Sequence, residues 1–473
     1  IIPGKFDAPD IFQIFHNLYG RESEISLIMQ AFKNVTKESS EILFLTGPAG
    51  IGKTTLLNEI QKKVSKERSR FLFVTFDQFK HDIPYFSIFQ SFQELIRRLL
   101  IESEEEINYW KNKLLKTLGN EISVINSYLP EISYIIGNIE SNYDEINLQL
   151  DFNLLLKKFI NLFSEKNSPF VVLLDNLQWI DSASLNLLKS LSSEDKGNIF
   201  ILGAYHDHES DTTQAFSKVI DEFKKNNSNL KLVTVPPLTM EHICNLLSDT
   251  LSSKTEQTDV FANIILKKTG GIPYFINQFL NTVYEDGLVT YIPGIGWQYD
   301  IEEIGKAQIK VSIFDTMAEK ILKLAPKTQE ILKLASCLGN EFSFKDLVKI
   351  SGKSDIDTFI DLSEALNEGL ILILEDTNRF LNDIVHKAAY SFIPEANRTK
   401  IHYNIGRFLL KNIREDELEE KIFDIVNQLN YGIEFVTKKS DRYEFAGLNL
   451  SVGKRAKVSL SYDLALKHFK TSL

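Results

Sequence analysis

At 473 residues the chain exceeds what one hydrophobic core organises, and roughly three domains are expected. Its 43% hydrophobic and 25% charged content is that of an ordinary water-soluble globular protein. A formal net charge of −11, from 53 basic and 64 acidic residues, excludes a general attraction to nucleic acid or to an anionic membrane. No apolar run approaches about 18 residues and no signal peptide opens the chain, so a cytoplasmic protein with no membrane partner is expected. Cys244 and Cys337 lie in helical patterns without disulfide or metal spacing, which fits buried thiols in a reducing compartment. The chain opens on Ile1 and a helical pattern is still running at Leu473, as expected of a segment from a longer polypeptide.

Taken in order, residues 1–16 carry Pro and aromatics without a clear period and read as a linker. A helical pattern follows 18–22, and an apolar run at 42–45 leads into G-P-A-G-I-G-K-T at 47–54. A short strand buried on both faces is expected at 71–76, then mostly helices over 84–165, with the acidic run 102–106 as a solvated face. Further apolar runs at 169–174, 199–204 and 230–235 bring the strand candidates to five. Their alternation with helical segments predicts a parallel sheet covered by helices on both faces. Helices fill 239–286, broken at Gly270, Gly271, Ile272 and Pro273, and a small hairpin is expected from 289–291 and 297–299. Three helical patterns over 309–392, with strand pieces at 370–375 and 379–381, predict a winged helix. From about 398 only amphipathic helices remain, and 460–472 has the small-and-aromatic spacing of helical-hairpin repeats.

The stretch 47–54 fits G-x-x-x-x-G-K-[ST], between a strand and a helix, as a phosphate cradle requires. Glycines let successive N–H groups turn toward phosphate oxygens, and the following helix adds its positive end. Lys53 would reach the terminal phosphates, and the Thr54 hydroxyl would help hold Mg²⁺. Gly47, Pro48, Ala49, Gly50, Ile51, Gly52, Lys53, Thr54 and Thr55 are therefore candidates for binding ATP or ADP. The second signal is V-V-L-L-D-N-L-Q-W-I-D at 171–181: an apolar strand whose last residue, Asp175, emerges beside the phosphates as the second candidate Mg²⁺ ligand. Trp179 is expected as packed core. The histidines are not at metal-ligand spacing, His206 and His208 included, and the aromatic stretch 71–92 lacks the basic residues of a base-stacking platform.

These segments resemble the STAND group of AAA-like ATPases, the signal-transduction ATPases that include MalT-type regulators and plant resistance proteins. More narrowly, the chain resembles the ATPase module of large bacterial multi-domain signalling kinases, whether serine/threonine or hybrid histidine kinases. The pieces that carry the resemblance are the two phosphate motifs with L-Y-G-R-E at 18–22, L-G-A-Y-H-D at 202–207, G-G-I-P-Y-F at 270–275 and F-L-N-D-I-V-H-K-A-A-Y at 380–390. The resemblance implies an α/β P-loop NTPase followed by a helical lid, a winged-helix domain and the start of a tetratricopeptide-like repeat array. The implied boundaries are 17–238, 239–305, 306–397 and 398–473. It places Gly20 and Arg21 near the adenine and ribose, Gly271 and Pro273 in the lid, a γ-phosphate sensor at the end of the strand 199–204, and Asp383 at the bound diphosphate. Three positions depart from the family pattern. Asn176 stands where many relatives carry the acid that activates water, His206 where an arginine sensor is expected, and Asn382 where histidine is usual. An amide can orient water but not take its proton.

A slowly hydrolysing, nucleotide-dependent switch follows, with Lys53, Asp175 and Asn176 as its catalytic candidates. Its expected partners are other domains of the same polypeptide, a second copy in the ATP state, and proteins held by the C-terminal helices. A DNA-binding origin-recognition type is the rival, but 354–369 carries Asp355, Asp357, Asp361, Glu364 and Glu368 with no Lys or Arg, a surface that repels DNA. A nucleotide-stabilised scaffold and a MalT-like transcription regulator stay open.

Overall fold

The computed structural model of the protein describes residues 12–14, 17–35, 40–67, 69–77, 83–137, 152–164, 169–191, 198–206, 220, 223, 230–251, 256–293, 295–306, 313–374, 377–413, 415–458 and 462–473. They form two compact units: Ile1–Phe73 with Phe163–Gln178 and Ser192–Val311, and Val74–Leu162 with Trp179–Leu191 and Ser312–Leu473.

The first unit is organised on a sheet of five strands, β1 (Glu41–Gly47), β2 (Phe71–Thr75), β3 (Phe170–Asp175), β4 (Ile199–His206) and β5 (Leu230–Thr234), in the order β2-β3-β4-β1-β5. The pairings of β1 with β4, β1 with β5 and β3 with β4 are parallel. Leu43, Leu45, Leu173 and Leu202 share one face and pack on helices Glu22–Asn34 and Lys53–Lys66 through Ile28, Phe32, Leu57 and Ile60. The alternate residues Ile42, Phe44, Val172, Leu174 and Ile201 are buried on the other face, where Phe44 meets Phe223. Burial on both faces is what produces continuous apolar runs in the central strands. The expectation for 71–76 is corrected. As an edge strand, β2 alternates between buried Leu72 and Val74 and less covered neighbours.

Beyond β5, helices Met240–Leu251, Glu256–Thr269 and Pro273–Glu285 share a separate core with the hairpin of β6 (Val289–Ile292) and β7 (Gly296–Tyr299). Ile14 joins this core, and Phe12 stacks on Tyr284 at 4.5 Å. The described part of the stretch read as a linker is therefore packed.

In the second unit, helices Phe86–Leu99, Glu104–Leu118, Ile122–Tyr128 and Phe152–Asn161 surround an aromatic core. Phe89 stacks on Tyr128 at 5.1 Å, and Tyr128 meets Phe152 at 4.9 Å. The acidic run 104–106 occupies the first turn of its helix behind the Ser103 cap, where negative charge suits the helix end. The region expected as a winged helix has more elements than the three helices and two strands expected. Helices Ile313–Lys323, Pro326–Leu338, Phe344–Ser351, Asp355–Asn367 and Asp383–Ser391 accompany β8 (Glu341–Phe342), β9 (Ile371–Ile373) and β10 (Asn378–Phe380), in the order β8-β10-β9. The two residues of β8 are too few to display a period. Residues 375 and 376 of the expected wing, and 309–312 before it, lie outside the described residues.

The C-terminal region pairs helix Glu395–Asn412 with Glu415–Tyr431, and Lys439–Val458 with Tyr462–Ser472. Each pair closes on a glycine. A Cβ at Gly406 would lie 2.8 Å from the Leu429 side chain, and one at Gly453 would lie 2.6 Å from the Phe469 ring. Asn430 and Asn449 exchange amide hydrogen bonds at 2.9 and 3.0 Å, and His468 Nδ1 lies 2.8 Å from the same Asn449 oxygen.

Candidate nucleotide site

The loop between β1 and helix Lys53–Lys66 carries the phosphate-binding sequence. Gly52, the residue that caps that helix, has φ of 98°, a left-handed conformation that glycine adopts without strain. It delivers the helix N-terminus, with Lys53 as first residue, to the end of the sheet. Lys53 is buried, and its Nζ donates to the carbonyls of Gly47 at 2.6 Å and Pro48 at 3.0 Å. Thr54 and Thr55 are exposed on the first turn, while Ile51 is buried beneath the loop.

Asp175 ends β3 at 4% exposure and accepts a hydrogen bond from Thr54 Oγ1 at 2.8 Å. Burial pushes its carboxyl above the ordinary carboxylate range, against the opposing effects of the Thr54 hydroxyl, the Asn176 N–H and the Lys53 charge. A buried carboxylate and a hydroxyl at one point are oxygen donors of the kind Mg²⁺ takes, and a cation there would relieve the cost of ionising Asp175. These two residues therefore fit the metal expected of them.

Asn176 follows with φ of 57°. Asparagine tolerates that left-handed backbone better than most residues, so the turn itself favours it. Its N–H donates to Asp175 Oδ1 at 3.0 Å. Trp179 is half-buried, with Lys387 Nζ 4.9 Å from its ring centre, which corrects the expectation of a core position. Asp181 does structural work. It accepts from the Ser184 N–H at 2.8 Å, from the Ser184 hydroxyl and from the Tyr85 N–H at 3.3 Å, capping helix Ser182–Leu191.

His206 closes β4 directly opposite Gly47 in the parallel register, so the expected sensor position does lie beside the loop. Asp207 and His208 lie outside the described residues. Arg21 is buried, and its guanidinium donates to the carbonyls of Ile51 at 3.0 Å and Pro236 at 2.8 Å. It clamps the loop to the end of β5, and burial lowers its pKa against the raising effects of Glu24 and Glu22. Gly20 passes so close to His242 that a Cβ would overlap the imidazole. Gly271 has φ of 76° and lies against Leu238, whose N–H donates to the Gly271 carbonyl at 2.8 Å. Pro273 opens its helix, and the next N–H, that of Tyr274, donates to the Gly50 carbonyl at 3.2 Å.

Arg21, His206 and the helix that Pro273 opens thus meet the loop, while Gly20 and Gly271 pack on His242 and Leu238 in the same unit. Asp383 belongs to the other unit, as the first residue of helix Asp383–Ser391. Sequence reasoning missed Tyr274 and Gln178. Both stand inside quoted motifs, at positions whose contacts are made by backbone or across strands and leave no compositional trace. Among the described residues no group of three or more His, Cys, Asp or Glu side chains could hold a metal ion, and no helix is long and apolar enough to cross a membrane. Neither cysteine is in a disulfide; Cys337 is buried as expected, whereas Cys244 is half-buried and donates to Asp259.

Residues 17–202 match the AAA ATPase domain family. The hybrid signal transduction histidine kinase G of Dictyostelium discoideum is 25% identical, over 99% of this chain and 17% of its own length. The peroxide stress-activated histidine kinase mak3 of Schizosaccharomyces pombe is 22% identical, over 97% of this chain and 23% of its own. The chain thus spans less than a quarter of these relatives, which come from an amoeba and a yeast, so the module is not confined to bacteria. A signal transduction ATPase with numerous domains and a tetratricopeptide repeat sensor, from Pyrococcus horikoshii, is 15% identical with a TM-score of 0.49, over 98% of this chain and 56% of its own. The similarity to these two histidine kinases extends over the residues that match the AAA ATPase domain and over those that follow them.

Proposed function

We propose that this chain is a nucleotide-operated switch within a larger signalling protein, a protein kinase in our reading, and that it binds ATP or ADP with Mg²⁺ and hydrolyses ATP slowly. The observation that carries it is the 2.8 Å hydrogen bond from Thr54 to Asp175, which brings the first helical turn of the phosphate loop and the end of β3 to one metal-sized locus. The loop 47–55, through backbone N–H groups other than at Pro48, and Lys53 would bind the phosphates. Thr54 and Asp175 would hold Mg²⁺, which supplies charge neutralisation on the phosphate oxygens. Asn176 would orient water without accepting its proton. His206, Gly20, Arg21 and the Gly271–Pro273 turn would frame the nucleotide.

In this reading residues 17–238 form the ATPase domain, 239–305 the lid, 306–397 the winged helix and 398–473 the first repeats. ATP favours self-association and exposes the repeats to protein partners; ADP favours a closed form. Either nucleotide shifts that equilibrium only by its differential affinity for the two forms. The acids of helix Asp355–Asn367 speak against a DNA-reading role. Asp361 pairs with Lys353 and Glu364 accepts from Thr328, but Asp355 and Asp357 face solvent.

Titration with a fluorescent ATP analogue tests binding. Lys53→Ala should weaken it at least about 100-fold, as loss of a phosphate-bound cation implies, and unchanged affinity would overturn the reading. Steady-state hydrolysis should rise in Asn176→Glu, which restores a proton acceptor. Fast turnover by the unmodified chain would sink the slow switch.

A further inference from the structure

Gln178 sits on the single 3-10 turn Leu177–Trp179 that follows Asp175 and Asn176. Its Oε1 accepts from the backbone N–H of His206 at 3.3 Å, and its Nε2 donates to Asn176 Oδ1 at 3.5 Å. A backbone N–H can only donate, so the amide of Gln178 has one orientation that serves both bonds. The turn is also held by packing. Leu177 is fully buried in the space beside Gly203 of β4, where a Cβ would overlap it and the Phe44 ring. Gly203 lies opposite Leu174 in the β3–β4 register, and His206, three residues on, lies opposite Gly47. Packing thus joins the turn to the middle of β4, and a side-chain amide joins it to the end.

The chemistry at Asn176 follows. With Oδ1 accepting from Gln178, the orientation of the Asn176 amide is set and its NH₂ is the donor end. A donor suits a phosphate oxygen or the lone pair of water and cannot abstract a proton. We propose that Gln178 is a positioning residue that fixes the Asn176 amide as a hydrogen-bond donor in register with the end of β4, so that the site distinguishes a nucleoside triphosphate from a diphosphate. This inference rests on the nucleotide reading above and adds to it the group that makes Asn176 a detector of the terminal phosphate.

The test compares wild-type chain, Gln178→Leu and Gln178→Glu, each titrated with fluorescent ADP and fluorescent ATPγS in Mg²⁺. Leucine removes both bonds. Glutamate keeps an acceptor for His206 N–H but cannot donate to Asn176. Both variants should lose about five- to tenfold of the triphosphate-over-diphosphate preference, the effect of one hydrogen bond to a charged group, with ADP affinity held within about twofold. A merely structural role would weaken both nucleotides in parallel and would overturn the proposal. So would an unchanged preference in Gln178→Leu, or a full preference in Gln178→Glu. Wild-type chain that bound neither nucleotide would overturn the nucleotide reading and this inference together. Wild-type binding with unaffected variants would overturn the inference alone.

Discussion

The loop end of the sheet and the C-terminal helices both bury polar side chains, and they satisfy them in opposite ways. Lys53 and Arg21 spend their donors on backbone carbonyls of Gly47, Pro48, Ile51 and Pro236, fastening the loop to the strand ends around it. Asn430, Asn449 and His468 instead bond one another, at 2.8 to 3.0 Å, across three successive helices. The first arrangement joins side-chain cations to backbone. The second is closed, and it selects one register among helix pairs whose apolar faces alone would tolerate several.

The sharpest way to break this contrast is by pH. His386 is buried in the second unit with Nε2 2.7 Å from the Ser336 carbonyl, and burial depresses its pKa from 6.5 to about 4, with the nearby Asp77 opposing and Lys387 reinforcing the shift. A depressed histidine is neutral when folded while the unfolded chain binds a proton, so its stabilisation is complete above 6.5 and is lost as pH falls toward 4. The full window is worth about 3 kcal/mol. Urea unfolding followed by far-UV circular dichroism at several pH values should show that loss, and His386→Gln should flatten it. A parallel slope in the variant would remove His386 as the cause. Next in size is Asn449→Ala, which takes the shared Asn449 amide from half-buried Asn430 and buried His468. It should cost about 2 kcal/mol and leave the affinity for a fluorescent ADP unchanged. Replacing Asn430 and Asn449 together by leucine should cost less than the single change, because only the His468 contact is then lost and no amide is stranded. A larger cost in the double variant would refute the closed-ladder account.

The two regions also differ in how far they could be read beforehand. The phosphate loop, Asp175 and the central strands were legible because their physics is local: a glycine at positive φ, a lysine opening a helix, an apolar run ending in an acid. The ladder was not, since Asn430, Asn449 and His468 stand 19 residues apart and meet only after helices pair. The edge character of β2 escaped for a related reason, because a strand's place in the sheet is decided by β3, about 100 residues downstream in the chain. Asn176 lies between these cases. Its identity was read as a departure from a catalytic pattern, whereas its φ of 57° supplies a backbone reason for asparagine that no sequence pattern displays.

Asn382 poses the same question at the smallest expected effect. It stands where the resemblance implies histidine, beside Asp383, and so invites a role at the nucleotide. Its side chain is already engaged as the N-cap of helix Asp383–Ser391, where Oδ1 accepts from the N–H groups of Ile384 and Val385, each at 3.0 Å. Asn382→Ala should therefore cost about 1 kcal/mol of stability, and Asn382→Ser, which keeps a capping oxygen, should cost a few tenths at most. Both variants should bind fluorescent ADP like the unmodified chain. If Asn382→Ala instead weakens ADP binding and leaves the urea midpoint unmoved, the residue acts on the nucleotide. The capping bonds would then account for its conformation and not for its identity.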